Sequence, residues 1–300
     1  MQEESFEISQ KRRPDAQPPA PTSRLLSTDE PLVVIEPSRS WVGVGLGAVW
    51  QYRELLYFMI WRDLKVRYKQ TVLGLLWVVM QPLLTTVVFT VFLGMLARVP
   101  SDRVPYPLFA FAGLVPWTFF ANAVSNASNS LVGNAHLLTK VYFPRLIIPA
   151  AAVGGRLVDF GVSFLLLVGM MLFYGVTPGR STLMLLPLVL LLALLSLGAS
   201  LWASALNVKY RDIGIALPVL IQLWMFITPV VYPTALVPER WRRLYSLNPV
   251  AGIIEGFRSA LFGGGFDWPA LASAAGVTLA LLAYSAFAFR RMERTFADVV

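Results

Sequence analysis

Few residues in this 300-residue chain are equipped for chemistry, and their types limit what that chemistry can be. Cysteine is absent, which excludes thiolate metal sites and thiol nucleophiles. A single histidine, His136, argues against a His-based metal site and a Ser-His-Asp relay. The dipeptide Gly-Lys does not occur, so there is no Gly-x-x-x-x-Gly-Lys-Ser/Thr phosphate loop and the chain is not expected to hydrolyse ATP. What remains is isolated charge in apolar surroundings. Arg156 and Asp159 stand three apart, as neighbours on one helix face, and read as a structural ion pair rather than a functional intramembrane charge. Asp159 is the main carboxylate in the apolar stretches, too little for a proton relay.

Two further groups of residues stand outside those stretches. Tyr57, Trp61, Leu64 and Tyr68 recur at spacings of four, three and four, which is one helix face. Arg62, Lys65 and Lys69 form a basic stripe on its flank. An apolar-aromatic face beside a basic one predicts a helix over 49–70 lying in the headgroup plane; the plainer alternative is a basic flank that only fixes orientation. The second group lies in the loop 129–145. Its middle, Asn134 to Phe143, predicts a short amphipathic helix stopped by Pro144. Leu137, Leu138, Val141, Tyr142 and Phe143 either meet a protein partner or fold back on their own bundle, and chemistry alone leaves both readings open. His136 reads as a contact residue rather than a metal ligand. The polar turn Asn207 to Asp212 is equally open between a solvated turn and a partner contact.

The elements that must position these groups follow from composition. Apolar residues make up 56% and charged residues 14%, where a soluble domain carries about 25% charged. The chain is therefore expected to be an all-α integral membrane protein. Residues 1–48 are rich in Pro, Ser and charge and are expected to form a disordered cytoplasmic tail without a signal peptide. Six apolar runs follow, at about 72–97, 108–128, 146–174, 183–206, 213–232 and 269–289. Each is near the ~20 residues that cross a bilayer as a helix. They are continuously apolar, without the period of two that a barrel strand shows. Lys and Arg are denser in the pieces facing the N-terminal side, such as Lys140, Arg145, Lys209, Arg290 and Arg291, which favours both termini inside. The C-terminus, 291–300, is a short cytoplasmic end of the 71–290 membrane domain. The outer segment 233–268 holds an apolar run, Val250 to Phe262, too short to span, and is expected to re-enter the membrane against protein. Trp77, Phe89, Phe92, Trp117, Phe119, Phe120, Trp202, Trp224, Phe226 and Tyr232 fall within the runs, as belt residues or as the lining of a sugar pathway. No internal repeat is apparent.

The chain resembles the membrane permease subunit of type-2 ATP-binding-cassette exporters, in the branch that exports O-antigen, teichoic acid and capsular polysaccharide. The resemblance rests on Arg62 to Trp77 with Gln81-Pro82-Leu83, Gly113 to Phe120, Asn134 to Arg145, Leu206 to Ile213, Thr228 to Pro233, and Asn248-Pro249 with Glu255 to Arg258. These strings run in order over about residues 50–290. The resemblance implies a homodimer in the bacterial cytoplasmic membrane, with two separate ATPase subunits that bind the ATP and Mg. This chain itself would carry no cofactor and bind no metal or nucleic acid. It also implies a coupling helix made of Asn134, His136, Leu137, Leu138, Thr139, Lys140, Val141, Tyr142, Phe143, Pro144 and Arg145. Tyr210, Arg211 and Asp212 would be a second contact with the ATPase. The family's cargo is a polymer on a polyprenyl-diphosphate lipid, whose headgroup the interface residues Arg62, Asp63, Lys65, Arg67, Tyr68 and Lys69 would meet, the basic ones attracting it by charge. Trp77, Phe89, Phe92, Trp117, Phe119, Phe120, Trp224, Phe226 and Tyr232 would line the channel. Two rival readings are a type-2 exporter of a drug or small lipid-like molecule and a membrane glycosyltransferase. The latter has only Glu239, Glu255 and Asp267 as outer-loop carboxylates and no Asp-x-Asp pair.

Overall fold

Within hydrocarbon each backbone N–H and C=O must find its partner in its own segment, so continuously apolar sequence folds as helix. In the computed structural model, residues 50–69, 74–101, 104–140, 143–293 and 296 are described, and every regular element among them is helical. The expected tail 1–48, Val141 and Tyr142 lie outside the described residues.

Helix α1 (Arg53–Lys69) precedes α2 (Gly74–Phe89), which is continued by a wider π-helical stretch, Thr90–Leu96. Helix α3 (Tyr106–Ser128) leads to two short helices, α4 (Ser130–Gly133) and α5 (Ala135–Lys140). Then come α6 (Ile147–Phe173), α7 (Leu185–Lys209, entered through a 3-10 turn at Arg180–Met184) and α8 (Ile213–Ile227). The chain closes with α9 (Glu239–Ser246), α10 (Pro249–Phe262) and α11 (Trp268–Glu293).

Among the described residues, five helical stretches are long and apolar enough to cross a membrane: Leu76–Leu96, Tyr106–Ser128, Ile147–Phe173, Arg180–Lys209 and Trp268–Glu293. The sixth expected span, 213–232, is shorter than its apolar run. Only α8, 15 residues, is helical. Pro229 disfavours helical backbone at Thr228, whose ψ of 138° is extended.

Helix α3 is apolar all round and is buried on nearly every side, the signature of a central helix. Helices α6, α7, α8 and α10 pack around it. Phe109, Phe111 and Phe120 are among its fully buried side chains. Helix α10 begins with Pro249 at its first position, and the Asn248 side chain accepts from the Val250 N–H at 3.2 Å, so the helix start is both preset and capped. Most of α10 is buried against α3, α7 and α11, as a helix packed within protein must be. A second, smaller core gathers at one end of the bundle, where Met59, Leu131, Ile147, Leu201, Val208 and Phe289 meet.

Candidate functional site

The end of the bundle that carries α4 and α5 is held together by side-chain amides. Asn207, near the end of α7, is 2% exposed. Its Nδ2 donates to the Ser128 carbonyl at 2.9 Å and to Asn129 Oδ1 at 3.0 Å, while its Oδ1 accepts from the Gly214 N–H at 2.9 Å. A Cβ on Gly214 would sit 2.4 Å from Asn129 Oδ1, so any larger residue here would have to displace that amide. One buried amide thus ties the end of α3 to both ends of the turn between α7 and α8. Asn134 repeats the device nearby: its Oδ1 accepts from Arg62 Nη2 at 3.0 Å, and its Nδ2 donates to the Ser130 carbonyl at 2.8 Å. Helix α1 is thereby joined to the α4–α5 loop. Arg145 donates through Nη1 to the Glu293 carbonyl at 2.7 Å, fixing the end of α11 to the same loop.

These ties divide the residues expected to meet a partner. Leu138 and Phe143 are each 8% exposed and belong to the bundle's own second core, with Leu137 packed beside them. For these three the fold-back reading holds. Pro144 and Arg145 are half-buried, and Thr139 lies within α5. His136 and Lys140 face outward, as do Tyr210, Arg211 and Asp212. Among the described residues of these two loops, those facing outward are therefore mainly polar and charged.

Helix α1 lies along α6. Its aromatic face, Tyr57, Phe58 and Trp61, is exposed, while Met59 is buried and Leu55, Leu56 and Ile60 pack against the second core. The basic stripe is not uniform. Lys65 and Lys69 are exposed, and Arg62 pairs with Asp63 at 2.8 Å. Arg67 turns inward to Asp159, with Nη1 2.7 Å from Oδ2. Arg156 Nη1 reaches the same oxygen at 3.0 Å, and Tyr68 donates its hydroxyl to Oδ1. Asp159 therefore serves two guanidiniums and a phenol, where helical spacing pointed to Arg156 alone. Burial, reinforced by the Asp159 carboxylate, pushes the Tyr68 phenol up to about 12.

The aromatic residues fall into two sets. Trp117, Phe119 and Phe120 are buried inside the protein. Phe120 stands edge-on to Trp224 with centroids 5.4 Å apart, and Phe119 meets Phe160 at 5.6 Å. Trp77, Phe92 and Phe226 are exposed, and Phe89 and Tyr232 are half-buried. The Tyr232 hydroxyl donates to the Phe226 carbonyl at 3.0 Å.

Sequence reasoning missed two residues that organise the ends. Asn207 looked like one polar residue in a turn; its signal was an amide at the close of an apolar span. Arg258, on α10, is buried and donates to the carbonyls of Pro229, at 3.0 Å, and Val230. Its guanidinium carbon lies 3.8 Å from the centre of the Phe109 ring.

Comparison with known proteins agrees with this architecture. The profile of the ABC-2 type transporter family matches residues 54–262. The chain is 30% identical over 250 residues to the O-antigen export system permease protein RfbA of Klebsiella pneumoniae, covering 82% of this chain and 95% of that protein. It is 30% identical over 257 residues to the protein of the same name from Myxococcus xanthus, covering 84% and 97%. With the polysialic acid transport protein KpsM of Escherichia coli it shares 23% identity over 204 residues, covering 68% and 79%.

Proposed function

The chain belongs to the ABC-2 type transporter family, and from that premise we propose that it is the permease subunit of an ATP-driven exporter of lipid-linked polysaccharide, of the kind its O-antigen-exporting relatives are named for. It is a multi-pass protein of the inner membrane and a transport subunit. Two copies form the passage, with both termini on the cytoplasmic side. Two separate ATPase subunits, which bind the ATP and Mg, dock against the α4–α5 end.

The observation that carries this reading is the amide-locked end of the bundle. His136 and Lys140 on one loop, and Tyr210, Arg211 and Asp212 on the other, project outward from segments that Asn207 joins. A push on either loop is shared by α3, α7 and α8 because the bonds between them are short and buried. ATP acts only if its binding favours one arrangement of this unit over the other. The cargo is a glycan on a polyprenyl diphosphate, drawn to the membrane surface by exposed Lys65 and Lys69, each worth about 1 kcal/mol against an anionic surface. The glycan threads through a continuous hydrated channel, since its hydroxyls would be unsatisfied in lipid. The exposed rings of Trp77, Phe92 and Phe226 offer low-specificity contact along it.

The test uses proteoliposomes. The chain alone should turn over no ATP and move no glycan. Adding the ATPase subunit should start ATP-dependent export of lipid-linked glycan. Lys140→Glu with Arg211→Glu should lower that export at least tenfold while membrane insertion stays normal. Glycan movement by the lone chain, or full export by the double variant, sinks the reading.

A further inference from the structure

We propose that Glu293 and Phe296 are positioning residues for transport: they fasten the α4–α5 loop to the end of α11, so that the loop does not shift without carrying α11 with it. The proposal rests on the reading of that loop as the ATPase contact. Arg145 closes the loop and reaches across to the end of α11. Its Nη1 donates to the Glu293 carbonyl at 2.7 Å, and its backbone N–H donates to Glu293 Oε1 at 3.3 Å. Its guanidinium carbon lies 6.0 Å from the centre of the Phe296 ring. Phe296, just beyond α11, is 1% exposed and stands edge-on to Phe289, with centroids 5.4 Å apart. Leu138 and Phe143, from the loop itself, belong to the same core.

Two helix ends meet here, and each supplies what the other lacks. Helix α6 has no acidic residue in its first turn, and its cap residue Leu146 makes no side-chain cap. The Glu293 carboxylate, bonded one residue before that cap, places negative charge at the positive end of the α6 dipole. The last carbonyls of a helix have no partner within it. Arg145 satisfies the carbonyl of Glu293 and puts positive charge at the negative end of α11. Moving the loop away from α11 breaks these charged hydrogen bonds and uncovers a buried ring. Moving the two together breaks neither. Helix α11 has 26 residues, about 39 Å of helix, and packs against α7 and α10. The Asn207 amide shares a push among α3, α7 and α8; this second tie carries it to α6 and α11.

The first measurement is hydrogen exchange on the full chain alone in nanodiscs. Phe296→Ala should speed exchange of the amides of 134–145 by about tenfold and leave those of α3 unchanged. Unchanged exchange in the loop overturns the proposal. The second uses proteoliposomes with the ATPase subunit and reads ATP turnover and glycan export together. The variant should keep ATP turnover close to wild type, while the ATP consumed per glycan exported rises roughly fivefold. A parallel fall in both rates, with the ratio unchanged, marks a merely structural contact and overturns the proposal, as does export at the wild-type ratio. If Phe296→Ala fails to insert, Glu293→Gln removes the carboxylate charge at the start of α6 and leaves the ring in place. It should raise the same ratio by a smaller factor, and an unchanged ratio overturns the proposal. Accelerated loop exchange in the variant, beside a wild type that exports no glycan with the ATPase, supports the fastening and counts against the exporter reading.

Discussion

Two arginines near opposite ends of the bundle, one buried and one half-buried, show how one residue type serves two purposes. Arg258 is sealed. Its partners are backbone carbonyls and the Phe109 ring, and the chain crosses so closely that a Cβ on Gly113 would lie 2.1 Å from the Val230 carbonyl oxygen. Arg156 is paired with a carboxylate it shares with Arg67, and it borders a cavity. The sealed arginine has no space to exchange partners. It satisfies carbonyls of the non-helical Pro229–Val230 stretch, which no regular element supports. The cavity arginine has room beside it. Space around the guanidinium, not residue type, separates the two.

Substitutions can sharpen that contrast. The largest effect is expected for Asp159→Ala, which takes away the carboxylate that Arg67 and Arg156 share. Breaking a buried ion pair costs about 3–5 kcal/mol, and thermal unfolding in detergent measures it. Arg258→Met comes next. It orphans two carbonyls at about 1–3 kcal/mol each. A larger loss for Arg258→Met than for Asp159→Ala would break the contrast between the two arginines.

The smallest effect concerns Tyr68. Its folded pKa is raised to about 12 from 10. The protonated phenol is the form the fold favours, so its contribution is complete below pH 10 and is lost as pH rises through 12. A stability profile over that window should fall less steeply for Tyr68→Phe than for wild type. Identical slopes would show that the Asp159 contact does not hold the phenol in its protonated form.

The membrane helices were legible because hydrocarbon imposes one solution on a long apolar run, and each of the five long apolar helices among the described residues coincides with an expected run to within four residues at either end. The end of α8 was not, since 213–232 stays apolar after helix gives way at Thr228. The Arg156–Asp159 contact followed from spacing along one helix. Arg67 and Tyr68 are more than ninety residues away in sequence, and only the packing of α1 on α6 brings them to Asp159. Leu138 and Phe143 present the same apolar character whether their neighbour is a partner or their own bundle. That choice was decided by Ile147 and Phe289, which complete a core around them. Asn207 remained hidden because an amide at a helix end reads as a cap until the end of α3 is placed beside it.

Helix α8 has one more consequence. Its 15 residues rise roughly 22 Å against a hydrocarbon layer of about 30 Å. A helix that falls short draws the two leaflets together beside it or is screened by neighbouring protein. In the first case the oily barrier narrows beside this helix.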